Sequence, residues 1–394
     1  MKKRTLGVLA SVGVIGAASV AVAMPALAAS SKAPITIAWM SIQSGPYATP
    51  GANNDIKLAV NQINAKGGID GHTVQFTPYD ANITPQQAVT ATQKALGSKP
   101  TAIIGYAVDD QIQATAQLLK QSGVPVLSPA QGPAASSNVV HVPGLYTVVP
   151  NLVTAIQGST SYGFTKFHPK SVGIFHTDDT ASNDDAATAQ ALLKKQGVTN
   201  FTVRSASDTA TDTTQQALAM KGDSVIYEYG FPTVEAVFNT SLSQNGITAP
   251  IVGDQSGNFL AAYGLNKPAE LKNYAFTPFC YPAVLPTSQA KAYSSAYTAA
   301  YPGQSLQTST AYVYDAVNLV GAAIKAAGGS LNSSDIAKQL GKITYTGACG
   351  TYHSDSNHDL MHQVTVVSYA NGTNPGTLAA TYHLSPVPAS YFKS

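Results

Sequence analysis

Charge is scarce in this 394-residue chain: 11% of residues are Asp, Glu, Lys or Arg, under half of the roughly 25% usual in globular proteins. Arginine is nearly missing, with Arg4 and Arg204 the only two. No Lys/Arg cluster follows the N-terminus. Phosphate backbones are held by such clusters, so nucleic acid is excluded as a partner. No G-x-G-x-x-G follows a strand pattern, and no phosphate loop occurs, which removes the usual nucleotide fingerprints. A G-x-S-x-G elbow is also absent, and neither cysteine has a reactive setting, so the chain is not expected to be an enzyme. No later run of about 20 apolar residues follows the N-terminal one, and the mature protein is expected to be soluble. The apolar fraction, 44%, is ordinary. Neutral polar residues have replaced the missing charge, which differs from the low hydrophobicity and high net charge of disordered chains.

The first 28 residues stand apart. Lys2, Lys3 and Arg4 precede an apolar run from Leu6 to about Met24, and Ala26-Leu27-Ala28 follows as a small-x-small cleavage pattern. This reads as a secretory signal peptide over residues 1–28, with an N-terminal membrane anchor as the alternative. The whole chain has 22 cations and 20 anions; residues 1–28 hold three of the cations and none of the anions, so the mature chain carries 19 against 20, a net −1. No cysteine lies near the cleavage pattern, which argues against a lipid anchor. The expected location is the periplasm or the cell exterior. Export permits a disulfide, and Cys280 and Cys349 allow one pairing.

Beyond the leader, short apolar runs alternate with helical periodicity. Residues 35–40 read as a buried strand. Ile56, Ala59, Val60 and Ile63 follow helix spacing, and Gly67-Gly68 stops that helix. Strands are predicted over 73–79, 101–106 and 124–128. Helices are predicted from Pro85, behind an N-capping Thr84, to about 96, and over 110–122. After a loop the rhythm restarts, with strands at 171–176, 201–204, 223–229 and 249–253. Helices lie between them at 183–196 and around 234–242, and two more are predicted at 308–327 and 335–341. Two closing strands are predicted at 364–369 and 377–384. Two βα series of this kind predict an α/β protein of two lobes with parallel sheets.

Several motifs carry a family resemblance: Ser44-Gly45-Pro46-Tyr47, Asn61-Gln62-Ile63-Asn64-Ala65-Lys66-Gly67-Gly68-Ile69-Asp70-Gly71, Tyr79-Asp80 with Pro85-Gln86-Gln87-Ala88, Ile103-Ile104-Gly105, Gly123-Val124-Pro125-Val126-Leu127-Ser128-Pro129-Ala130, and Tyr314-Asp315-Ala316-Val317. Together they resemble the extracytoplasmic solute-binding proteins of branched-chain amino acid and amide ABC transporters. The resemblance implies two doubly wound parallel-sheet lobes joined by three crossovers. Lobe 1 would comprise 33–150 and 280–350, and lobe 2 would comprise 151–279 and 351–394. It implies a solute held between the lobes by hinge closure, an ABC permease as partner, no cofactor, and a monomer. Ligands of open α/β sheets lie at the carboxyl ends of the strands. The cleft loops would thus be 43–47, 106–111 and 128–132 in lobe 1, with 177–182, 229–231 and 254–257 in lobe 2.

Amino-acid-binding relatives present a serine, a threonine and a glutamate from these loops. The corresponding positions here are Asp109 and Asp110, then Gln131 or Gly132, then Gln255 beside Asp254. Carboxylates at 109 and 110 would repel a ligand carboxylate, by roughly 1 kcal/mol at about 4 Å even with water-like screening. Branched-chain amino acids are therefore expected to bind weakly. The expected solute is small, polar and rich in donors: an amide, a urea-like molecule, a polyol, a cation or an amino-acid derivative. Tyr47, Tyr106, Tyr229 and Phe231 would supply walls, and Asp178 and Asp179 would face the cleft from lobe 2. Helix capping is the alternative role for Asp109 or Asp110, and core packing the alternative for each aromatic. A sensor of the same fold and an exported hydrolase are the other functions in play.

Other constellations have plainer readings. His353, Asp355, His358, Asp359 and His362 fit no closed zinc spacing and read as a solvated turn. Asn183 and Asp184 sit at a helix start, where capping and the helix dipole account for them. Trp39 is expected in the core, and His176 either faces the cleft or packs. The resemblance places Cys280 and Cys349 on two neighbouring crossovers and so implies a disulfide between them, with two buried thiols as the alternative.

Overall fold

The structure is a computed structural model that describes residues 32–386 apart from 45–47, 49, 305, 307–309 and 374. The leader and Tyr47 lie outside the described residues.

The first series runs β1 (Ile35–Ser41), α1 (Pro50–Ala65), β2 (Val74–Asp80), α2 (Pro85–Gly97), β3 (Ala102–Gly105), α3 (Asp109–Ser122), β4 (Val126–Ser128), α4 (Pro133–Ser136) and β5 (Leu145–Pro150). Its strands lie parallel in the order β5-β4-β3-β1-β2. β1 and β3 are almost wholly buried, as strands covered by helices on both faces must be. Thr84 caps α2 by accepting the Gln87 N–H, with Pro85 in the first turn where its missing N–H costs nothing.

The chain then crosses into a second sheet. Asn151 caps the entering helix by accepting the Thr154 N–H at 2.8 Å. The second series is α5 (Leu152–Phe167), β6 (Val172–Thr177), α6 (Thr180–Lys195), β7 (Phe201–Ala206), α7 (Thr214–Ala219), β8 (Val225–Tyr229), α8 (Pro232–Gln244), β9 (Ile251–Gly253), α9 (Gly257–Ala262) and β10 (Tyr274–Phe276). These strands are parallel in the order β10-β9-β8-β6-β7.

After β10 the chain returns to lobe 1 through 277–281. It forms α10 (Ser288–Ala300), α11 (Tyr312–Ala326) and α12 (Ser333–Leu340), then β11 (Thr344–Thr346), β12 (Thr351–His353) and β13 (Asp359–Met361). These three strands extend the first sheet, with β13 parallel to β5. Only then do β14 (Gln363–Ser368) and β15 (Thr377–His383) join the second sheet, β14 antiparallel to β10 and β15 antiparallel to β14 at the edge. The expected lobe boundary at 350 is therefore corrected to His362. The physical reason is visible at β13: Asp359 is buried and accepts Asn151 Nδ2–H at 2.7 Å, and the Thr147 N–H donates to the His358 carbonyl. The region read as a solvated turn is solvated only in part: His353 and Ser356 are exposed and Asp355 and His358 half-buried, whereas Asn357, Asp359 and His362 are buried. Among the described residues no group of three His, Cys, Asp or Glu side chains could hold a metal ion.

Cys280 and Cys349 are joined, with Cα atoms 5.1 Å apart. Cys280 is on the returning crossover, as expected. Cys349 is in the turn between β11 and β12, within lobe 1, and not on the third crossover. The disulfide thus anchors one crossover to lobe 1 and leaves the other two unlinked. Each lobe has its own apolar core on both sheet faces. No helix among the described residues is long and apolar enough to cross a membrane.

Candidate functional site

The carboxyl ends of both sheets face a common cleft of about 430 Å³. This is within the range of small-molecule sites. Lobe 1 contributes the end of β1 (Trp39, Met40, Ser41), then Ile42, Ala48, Ile83, Gly105, Ala107, Pro129, Thr310 and Tyr312, while Phe279 comes from the returning crossover. Lobe 2 contributes Pro232 and Thr233 from α8, Gln255 and Ser256 after β9, and Phe259, Tyr263 and Leu265 in and after α9. Phe259 and Tyr263 stack with ring centroids 5.5 Å apart and planes at 6°, and Phe279 meets Tyr312 edge to face at 6.0 Å. Tyr263 and Leu265 are 48% and 39% exposed, an apolar lip on lobe 2. Gly105 is required at the base: at φ +120° a Cβ there would lie 1.8 Å from the Met40 carbonyl oxygen.

The residues expected at this site divide sharply. Gln255 lines the cleft. Tyr47 lies outside the described residues. Tyr106 turns inward at φ +64°, fully buried, with its hydroxyl 2.7 Å from Thr92 Oγ1. Tyr229 is likewise fully buried, its hydroxyl 3.5 Å from Ser159 Oγ. Phe231 is half-buried at the start of α8, and its neighbour Pro232 is the residue that reaches the cleft. Asp178 and Asp110 are exposed. Asp179 caps α6, accepting the Ser182 N–H and the hydroxyls of Thr177 and Ser182. Gln131 donates to the Pro150 carbonyl at 2.6 Å and so braces the first crossover. His176 packs, with Nδ1 3.0 Å from the Thr177 carbonyl.

Asp109 has the most consequential placement. Its Oδ2 and Oδ1 accept the N–H groups of Ala134 and Ala135, both at 2.9 Å. The carboxylate caps α4, the helix after the next strand. Burial pushes its carboxyl above the usual carboxylate range, while the two N–H bonds pull against that shift. Gly132 is part of the same joint, since a Cβ there would lie 2.7 Å from the Asp109 carboxyl carbon. Replacing Asp109 with Ala leaves two helix-start donors unpaired, and we expect a loss of about 2 kcal/mol in urea unfolding. Asp109→Asn keeps one acceptor and should lose about half of that. A loss below roughly 0.5 kcal/mol for Asp109→Ala would contradict this role.

Behind the lobe 2 wall lies a set of buried carboxyls. Asp254 accepts the Ser256 N–H at 2.7 Å, and burial pushes it up to about 7. Glu228 on β8 and Glu235 on α8 are fully buried and pushed well above the usual range by burial, with Asp254 adding to both shifts. Asn239 donates to Glu228 at 3.1 Å. In lobe 1, Asp55 accepts the hydroxyls of Tyr293 and Thr310, and burial raises it to about 7.

Sequence reasoning missed Trp39 as a wall residue: it is 2% exposed yet borders the cleft, with Nε1–H donating to Asn53 Oδ1 at 2.8 Å. Thr310, Tyr312, Phe279, Phe259 and Tyr263 were also missed. The Phe259/Tyr263 pair carried a readable signal, an i, i+4 aromatic pair directly after a strand end.

The periplasmic binding protein family matches residues 34–374, and the chain belongs to that family. It is 28% identical over 166 residues to the Leu/Ile/Val-binding protein of Escherichia coli strain K12; the stretch covers 41% of this chain and 44% of that relative. The chain thus matches under half the length of that relative. Among solved structures, the branched-chain amino acid transporter substrate-binding protein of Streptococcus pneumoniae in complex with isoleucine superimposes with a TM-score of 0.76 at 23% identity, covering 90% of this chain and all of that one. A solute-binding protein from R. palustris in complex with 4-hydroxybenzoate gives a TM-score of 0.76 at 18% identity, covering 92% and 100%. At these identities the structures establish the shared two-lobed fold.

Proposed function

We propose that the protein is an exported receptor that captures a small solute between its lobes and delivers it to an ABC permease. The observation that carries this reading is the cleft itself: both sheets end there, and one chain supplies both walls. A monomer is therefore the working unit. Closure about the three crossovers would cover the exposed lip of Tyr263 and Leu265 and hide the solute from water. The partly aligned transport proteins support the same reading by kinship.

The donor-rich solute expected from Asp109 and Asp110 loses its basis, because one carboxylate caps α4 and the other is exposed away from the lining. Selectivity would come from the apolar walls and a few neutral polar groups. The test is capture. Protein stripped of small molecules is incubated with an extract of the producing cells' growth medium, desalted, and its retained molecules identified by mass spectrometry. We expect one retained compound at about one per chain, with a smaller radius of gyration in small-angle scattering. Retention of nothing, with no compaction, would overturn the receptor reading.

A further inference from the structure

The cleft has a peculiarity that its family membership does not supply: no ionisable side chain other than tyrosine lines it among the described residues. A zwitterion or an aromatic acid enclosed here would give up hydration with no counter-charge, which is the costly case for a buried ion.

What the cleft does offer is ring surface and a small amount of neutral polarity. Phe259 and Tyr263 form a parallel stack on lobe 2, and Phe279 with Tyr312 an edge-to-face pair on the other side. Flat aromatic ligands use both geometries. Two donors at the cleft are already engaged, the Trp39 indole N–H by Asn53 and the Thr310 hydroxyl by Asp55, while the Ser41 oxygen accepts from the Gln43 amide. The Gln255 amide lines the cleft half-buried and can donate and accept at once. Such a group matches a neutral amide or hydroxyl, not an ion.

We infer that the solute is an uncharged aromatic molecule with one neutral hydrogen-bonding group, an amide or an alcohol, sandwiched by the cleft rings and oriented by Gln255. This rests on the receptor reading above and narrows it to one ligand class.

The experiment is calorimetry and thermal shift on the full mature chain with charge-matched probes at up to millimolar concentration: 4-hydroxybenzamide and benzyl alcohol as neutral probes, 4-hydroxybenzoate and leucine as ionic ones, and choline for a permanent cation. We expect a neutral probe to bind at least 10-fold more tightly than 4-hydroxybenzoate, with leucine and choline silent. Tyr263→Ala, at an exposed position that should not disturb folding, should weaken the neutral probe about 10-fold. Gln255→Ala should reduce the preference of 4-hydroxybenzamide over benzene-like probes lacking the amide. Equal or tighter binding of the carboxylate, of leucine or of choline overturns the inference, and so does silence of every neutral probe. Those failures leave the receptor reading intact if the capture experiment retains a charged compound. Retention of nothing there removes both.

Discussion

Removing the disulfide, by Cys280→Ala with Cys349→Ala, is expected to cost roughly 4 kcal/mol of unfolding free energy. The bridge closes a loop of 69 residues, and on the chain-entropy account a loop of that size restricts the unfolded chain by this amount. Both cysteines are buried, at 4% and 5% exposure, so alanine also removes two buried sulfur atoms and adds a cavity cost to the loss. The bridge links the returning crossover to the β11–β12 turn of the same lobe, and the cleft mouth is not spanned. Ligand affinity of the folded variant should therefore change far less than its stability. Urea unfolding with and without a saturating ligand separates the two. A loss under about 1 kcal/mol would mean that the unfolded chain is already restricted there, or that the reduced native state relaxes.

Asp315→Ala is expected to lose about 3–5 kcal/mol through the neighbouring contacts. Asp315, on α11 and fully buried, accepts the N–H groups of Ala348 and Cys349 at 2.9 and 2.8 Å and the Tyr352 hydroxyl at 2.9 Å. Burial pushes its carboxyl up to about 6, against the pull of these three donors. Truncation leaves three donors in a site closed to water, each costing about 1–3 kcal/mol before relaxation. The turn is shaped around this carboxylate: a Cβ on Gly347 would lie 2.4 Å from it. Asp315→Asn should recover part of the loss, because an amide oxygen still accepts while its NH₂ confronts a donor. The disulfide and Asp315 hold the same turn. The triple variant should consequently lose less than the sum of the separate losses, since neighbours sharing a partner do not add. Additivity within 0.5 kcal/mol would show the two restraints to be independent.

The strands were the most readable elements. Residues 35–41, 172–177 and 225–229 are short apolar runs between turn signals, and each is a buried parallel strand. Such a pattern is local, because a strand covered on both faces needs apolar side chains throughout. α5 was not readable, although it is 16 residues long. It holds Gly158, Gly163 and several Ser and Thr residues, all weak helix formers. Packing explains them. A Cβ at Gly158 would lie 2.4 Å from Val364 Cγ1, and one at Gly163 would lie 2.2 Å from the Tyr227 hydroxyl. These partners are supplied by strands distant in sequence, so the helix is held by contacts that its own segment cannot announce.

The sequence alone determined that the chain carries a secretory leader pattern, two βα series, too little charge for nucleic acid, and a single possible disulfide. Those properties depend on composition, spacing and local periodicity. Tertiary structure decided which side chains face the cleft. A carboxylate at a strand's end can point to solvent, to a ligand or to the N–H groups of another helix, and for Asp109 the choice was made by Ala134 and Ala135, 25 and 26 residues away. Tertiary structure likewise moved the third crossover to His362 by pairing β13 with β5, and it gathered Trp39, Phe259, Phe279 and Tyr312 into one apolar cleft. Those residues come from four separate segments. Only the apposition of two sheets makes them neighbours, and no local pattern encodes that apposition.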